Sequence, residues 1–155
     1  MNSIRSSWKL DKLKMTEIIN EQNVIKFDSG PFENFIADFK KYLDEVRDKE
    51  FTVVFVDDNK IKDLNNQFRS KNYVTDVLSF GYETEDFEPD NNYLGDVIIS
   101  VEQAQRQARQ NNLSLDLEIK QLILHGVLHL CGYDHETDEG EMNNLELRLR
   151  ENFGI

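Results

Sequence analysis

The sequence predicts an α+β domain in which a small mixed β-sheet is covered by helices. Two observations carry this. Between residues 32 and 149 the segments read α-β-α-β-β-α-α-α, so strands and helices mix without regular alternation. The chain has 155 residues, 39% hydrophobic and 31% charged, which is the composition of an ordinary globular protein. That length suffices to bury roughly two-thirds of the unfolded surface, and one domain over residues 1–155 is expected.

Residues 1–21 are the least informative. Trp8, Leu10 and Leu13 lie among Arg5, Lys9, Lys12 and Lys14 without a sustained period, which leaves a short amphipathic helix or a mobile arm. Val24–Phe27 is a candidate first strand, ended by Asp28-Ser29-Gly30-Pro31. Pro31 suits the first turn of a helix. Phe32, Phe35, Ile36, Phe39, Tyr42, Leu43 and Val46 then recur at helical spacing, so the sequence predicts one amphipathic helix over residues 32–47. Its aromatic stripe reads as core rather than as a ligand surface.

Phe51–Val56 is β-rich and closes on Asp57-Asp58, both suited to cap the helix that follows. That helix carries Ile61, Leu64 and Phe68 and ends near Arg69. Thr75–Tyr82 and Leu94–Val101 predict two further strands, separated by an acidic loop containing Pro89 and Asn91-Asn92. Ser100 followed by Gln103 is a capping-box signature for a helix reaching about Gln110. A last helix places Met142, Leu145 and Leu149 on one face. The sequence has no repeat, no low-complexity tract and no Gly-rich phosphate loop.

The organising stretch is His125-Gly-Val-Leu-His129-Leu-Cys-Gly-Tyr-Asp-His135, which contains all three histidines of the chain. Leu115–Leu130 reads as a helix, with Ser114 as N-cap and Asp116 and Glu118 in the first turn. On it His125 and His129 are spaced i,i+4, so their imidazoles leave one face with Cβ atoms roughly 6 Å apart. Gly132 lacks a Cβ and lets the chain turn at the helix end, so that His135 can come round as a third ligand. The metal site is thus expected at the C-terminal end of a helix. Three neutral imidazoles suit one Zn²⁺ per chain, and a three-ligand tetrahedral site keeps one position open, as catalytic zinc does. Cys131 reads as a small buried hydrophobe at the helix end rather than a fourth ligand.

The histidines and the glycine match the long zincin pattern H-E-x-x-H-x-x-G-x-x-H, but Gly126 stands where that pattern has its general-base Glu. A zinc peptidase needs this carboxylate, so ordinary peptidase chemistry is not expected.

At these residues the chain resembles the YbeY family of bacterial metal-dependent endoribonucleases, with the signature H-G-x-L-H-L-x-G-Y-D-H. His125, Gly126, Leu128, His129, Leu130, Gly132, Tyr133, Asp134 and His135 match every fixed position. The resemblance extends through Arg69, Thr75-Asp-Val-Leu-Ser-Phe80 and Leu94-Gly-Asp-Val-Ile-Ile-Ser100, and covers about residues 51–149. Gly81 departs from it, because the family usually has proline there.

The resemblance implies a zincin-like architecture with the metal helix beside the sheet. It also implies a zinc-dependent, single-strand-specific endoribonuclease of ribosomal RNA maturation and quality control. The partners implied are single-stranded ribosomal RNA and the small ribosomal subunit or its assembly factors, with no DNA and no membrane. Arg69, at a matching position, is the candidate for contacting the phosphate and offsetting charge growing on its oxygens. Lys71 is a second candidate for phosphate binding. Asp134 is either a general base or an acceptor that orients a histidine, with the second role favoured. Zn²⁺ supports such cleavage by acidifying water and polarising a phosphoryl oxygen, and the nucleophile can be water or the RNA 2′-hydroxyl.

A net charge of −12 sits awkwardly with an RNA partner. Residues 1–75, however, carry 13 Lys+Arg and 13 Asp+Glu, against 5 and 17 in residues 76–155. A locally basic wall from the first part can therefore face RNA while the acidic part turns away. Two rival readings remain: a metal-dependent hydrolase of another substrate, and a non-catalytic zinc-stabilised ribosome-assembly module. No apolar run approaches the roughly 20 residues of a membrane helix, and with no apolar core of roughly 7–15 residues near the N-terminus a secretory signal is not expected. One cysteine excludes an internal disulfide and fits a cytoplasmic protein.

Overall fold

Residues 15–82 and 92–155 are described by a computed structural model. In chain order they form β1 (Glu17–Asn20), α1 (Gly30–Lys40), α2 (Asp44–Arg47), β2 (Glu50–Val56), α3 (Asp58–Arg69), β3 (Val77–Gly81), β4 (Tyr93–Ser100), α4 (Val101–Gln110), α5 (Leu115–Leu130) and α6 (Glu141–Phe153). The strands pair in the order β1-β2-β4-β3. β1, β2 and β4 run parallel, and β3 is antiparallel to β4, so the sheet is mixed as the sequence predicts.

The two central strands are buried on both faces, which is why their sequences are nearly continuous apolar runs. Phe51, Val53 and Phe55 of β2, with Val97 and Ile99 of β4, enter the larger core beneath α1, α5 and α6. The alternate residues Val54, Val56 and Ile98 meet Ile61 and Leu64 of α3 and Leu78 of β3 on the other face. Helices thus cover both faces, and α3 and α5 lie on opposite sides.

The expected caps form. Asp57 accepts from the Lys60 N–H at 2.8 Å, Ser100 from Gln103 at 3.2 Å and Ser114 from Leu117 at 3.1 Å. The reciprocal arm of the capping box does not form, because the Ser100 N–H instead donates to the Asp76 carbonyl at 3.0 Å.

Two expectations need correction. The first strand is Glu17–Asn20 and not Val24–Phe27. The Gln22 side chain holds the latter stretch in a loop: its Oε1 accepts from the Val24 and Ile25 N–H groups, both at 3.0 Å. The end of the stretch read as arm or helix is therefore a strand, while residues 1–14 lie outside the described residues. The helix expected over residues 32–47 is broken: α1 stops at Lys40, Leu43 is extended (φ −121°, ψ 107°) and α2 restarts at Asp44. Arg47 stabilises the break by donating to the Lys41 carbonyl at 3.1 Å and pairing with Asp44 at 2.6 Å. Residues 83–91, most of the acidic loop, also lie outside the described residues.

Candidate functional site

The helix that carries the histidine pair turns Gly126 to the sheet, with no room for a side chain between them. A Cβ there would stand 2.6 Å from Val97 Cγ1 and 3.2 Å from Ser79 Oγ. The position taken by a carboxylate in the peptidase pattern is therefore filled by the sheet, and no side chain there reaches the histidines.

α5 ends in a Schellman turn. The Gly132 N–H donates to the His129 carbonyl at 3.0 Å and the Tyr133 N–H to the Leu128 carbonyl at 3.1 Å, with Gly132 at φ +98°. Asp134 shapes the next turn: its carboxylate accepts from the Glu136 N–H at 2.9 Å, and its carbonyl accepts from Thr137 and Asp138. Tyr133 donates its hydroxyl to Glu45 at 2.9 Å, tying this loop to α2. The turns bring His135 back over the helix end.

The three imidazoles converge. One ring nitrogen from each of His125, His129 and His135 lies within 4.8 Å of the others. His125 Nε2 and His129 Nε2 are 3.2 Å apart. Two nitrogens bound tetrahedrally to one zinc at the usual bond length stand roughly 3.3 Å apart, so this pair fits the ion's span. Burial, followed by the neighbouring His125 and His135 rings, pulls the His129 pKa below its usual value, against smaller opposing effects of the Tyr133 backbone and Asp134. This favours the neutral ring that a metal requires.

His125 has a partner on its other side. Its Nδ1 stands 2.8 Å from Glu146 Oε1 on α6, and the second oxygen of Glu146 accepts from Arg150 at 2.6 Å. Burial works to raise the Glu146 carboxyl. The hydrogen bond from His125, that ring's proximity and the Arg150 guanidinium outweigh it and hold the group below the usual carboxylate range. The carboxylate against a histidine of the cluster is thus Glu146, while the hydrogen bond of Asp134 goes to its own turn. Sequence reasoning missed Glu146 by drawing the buried face of the last helix through Leu145. The buried residues are Met142, Glu146 and Leu149, at i, i+4 and i+7, and a carboxylate in that register was the available signal.

The histidines stand in a cleft of about 460 Å³ that Arg69, Asp76, Ser79, Asp134 and Glu136 also line. Arg69 reaches it from the end of α3, where Phe68 packs edge-on against Phe80 of β3 with centroids 5.4 Å apart. Its Nη1 is 3.5 Å from Asn65 Oδ1. Ser79 of β3 also lines the cleft and donates to the Gly126 carbonyl. Lys71 is exposed on the loop beyond α3, outside the cleft. Cys131 is packed against the core, and burial, then Glu45, push its thiol up to about 12, so it stays protonated.

The sequence model of the family described as Endoribonuclease YbeY matches residues 17–154. An endoribonuclease YbeY of Nautilia profundicola is 48% identical over 99 residues, which span 64% of this chain and 68% of that protein. Another, from Thermodesulfovibrio yellowstonii, is 36% identical across 88% of this chain and 96% of its own length. Among solved structures, the solution structure of TM1509 from Thermotoga maritima aligns with a TM-score of 0.60 at 30% identity, over 90% of each chain.

Proposed function

This chain belongs to the endoribonuclease YbeY family, and from that premise we propose that it is a zinc-dependent, single-strand-specific endoribonuclease. Its RNA is ribosomal, its task is maturation of the 3′ end of small-subunit ribosomal RNA together with ribosome quality control, and it works in the cytoplasm on the small subunit or with its assembly factors. Residues 1–155 act as one metal-dependent hydrolase domain. Among the described residues no helix is long and apolar enough to cross a membrane.

The observation that supports this best is the convergence of three imidazoles in a cleft that also holds Arg69. His125, His129 and His135 would hold one zinc ion, which supplies acidified water and a polarised phosphoryl oxygen. Arg69 offers a planar set of donors to the scissile phosphate and offsets charge that grows on its oxygens. Asp134 serves through the turn that carries His135 rather than by taking a proton. Lys71, beyond the cleft, meets a neighbouring phosphate of the same strand.

Incubation of zinc-loaded protein with an unstructured RNA and with a hairpin of equal length tests the reading. Cleavage confined to the unstructured strand and stopped by a chelator is expected. Equal cleavage of both would contradict the single-strand preference. Failure to cut either, with zinc bound, would favour the non-catalytic assembly module.

A further inference from the structure

We infer that Glu146 is a positioning residue for the metal centre, fixing His125 with its proton on Nδ1 and its Nε2 toward His129 and His135, and that Arg150 holds Glu146 in that pose. The inference rests on the metal-site reading of the three histidines.

A neutral imidazole has one N–H and one lone pair, and only the nitrogen with the lone pair can bind a cation. Glu146 Oε1, 2.8 Å from Nδ1, is an acceptor and draws the proton there. Nε2 is then the lone-pair nitrogen, and it is the one that stands 3.2 Å from His129 Nε2. Glu146 comes from α6, 21 residues beyond His125, so α6 completes a site whose three histidines lie on α5 and its loop.

Glu146 is only 7% exposed, and a carboxylate is seldom buried in this way unless its oxygens are satisfied. Both oxygens are engaged, one by His125 and one by Arg150. An i,i+4 ion pair serving α6 alone would need neither burial nor an oxygen directed at a histidine. This arrangement uses the pair as a clamp: Arg150 fixes one oxygen and thereby aims the other. A carboxylate behind a metal-ligating histidine commonly carries a tenfold to hundredfold effect on metal affinity.

The test uses the full chain with Glu146→Gln, Glu146→Ala and Arg150→Met. Zinc affinity is measured by competition with a chromogenic chelator, melting temperature on metal-free protein, and the His125 tautomer by ¹⁵N NMR of the metal-free imidazole. Glu146→Ala should weaken zinc binding on the order of 10–100-fold and lose the Nδ1–H signature. Glu146→Gln, which keeps an acceptor oxygen, should lose less, and Arg150→Met should shift affinity in the same direction. Where Glu146→Ala fails to fold, the Gln and Met variants carry the test. Folded variants with wild-type zinc affinity and an unchanged tautomer would overturn the positioning role. A wild-type chain that takes up no zinc would instead defeat the metal-site reading itself.

Discussion

Ser79 of β3 donates its hydroxyl to the Gly126 carbonyl of α5 across 2.9 Å, joining the sheet to the histidine helix just past His125. This contact needs a close approach, and Gly126 permits it. Gly126→Ala would put a methyl 2.6 Å from Val97 Cγ1, on a stiff β-branched side chain that cannot swing away. A loss of about 1–3 kcal/mol is expected in urea unfolding, with weaker zinc binding as the helix is displaced. Gly126→Glu should destabilise further and confer no peptidase activity.

Gly132 has no neighbour within 4 Å of an added Cβ, so its constraint is conformational. At φ +98° an alanine is strained, and Gly132→Ala should cost about 1–2 kcal/mol or shift the turn. Because His135 follows three residues later, zinc affinity should fall by more than the small drop in melting temperature suggests. Chelator competition alongside thermal melting separates the two effects.

Arg69 lines the cleft from the end of α3, which packs on the sheet face opposite α5. Arg69→Ala should fold and retain zinc, yet lose on the order of a hundredfold or more in cleavage rate. Arg69→Lys should recover only part of this, since a point charge does not reproduce the bidentate fork. Single-turnover cleavage at saturating enzyme separates slowed chemistry from weakened binding.

Glu50 anchors the edge strand. Its carboxylate accepts from the Thr16 N–H at 3.0 Å, from the Thr16 hydroxyl and from Lys40 Nζ at 3.1 Å. Burial works to raise its pKa, but these donors and the Lys40 charge outweigh it and leave it below the usual value. A lowered folded-state pKa means stabilisation that is present above the unfolded-state value, about 4.3, and lost as pH falls through the folded one. Glu50→Gln should therefore cost up to about 1 kcal/mol near neutral pH, the solvent-screened worth of a partly exposed ion pair, with the difference shrinking in acid. Urea midpoints of both proteins across that range give the comparison.

What the sequence revealed followed local rules. The caps at Asp57, Ser100 and Ser114, the turn at Gly132 and the spacing of His125 and His129 each depend on residues within one turn of each other. The misses depended on distant partners. β1 is only Glu-Ile-Ile-Asn, and what makes it a strand is parallel pairing with Thr52–Phe55. The apolar stretch at Val24–Phe27 looked a better strand, but the Gln22 amide claims its N–H groups. The helix break at Leu43 serves the return of the chain to β2, which no periodicity encodes. The register of Met142, Glu146 and Leu149 marks Glu146 as a buried carboxylate, but its partner His125 is on another helix and no local pattern names it.

On the proposed function, three histidines hold the ion on which cleavage of RNA depends. Stripping the protein of metal and titrating zinc back, with single-turnover cleavage of an unstructured RNA followed beside a His129→Ala control, tests that dependence. Cleavage should be absent at first, rise in proportion to zinc and break at one equivalent per chain, with no rise in His129→Ala. Full activity in the stripped protein, or a His129→Ala variant that takes up zinc and cuts like wild type, would show that cleavage does not depend on this site.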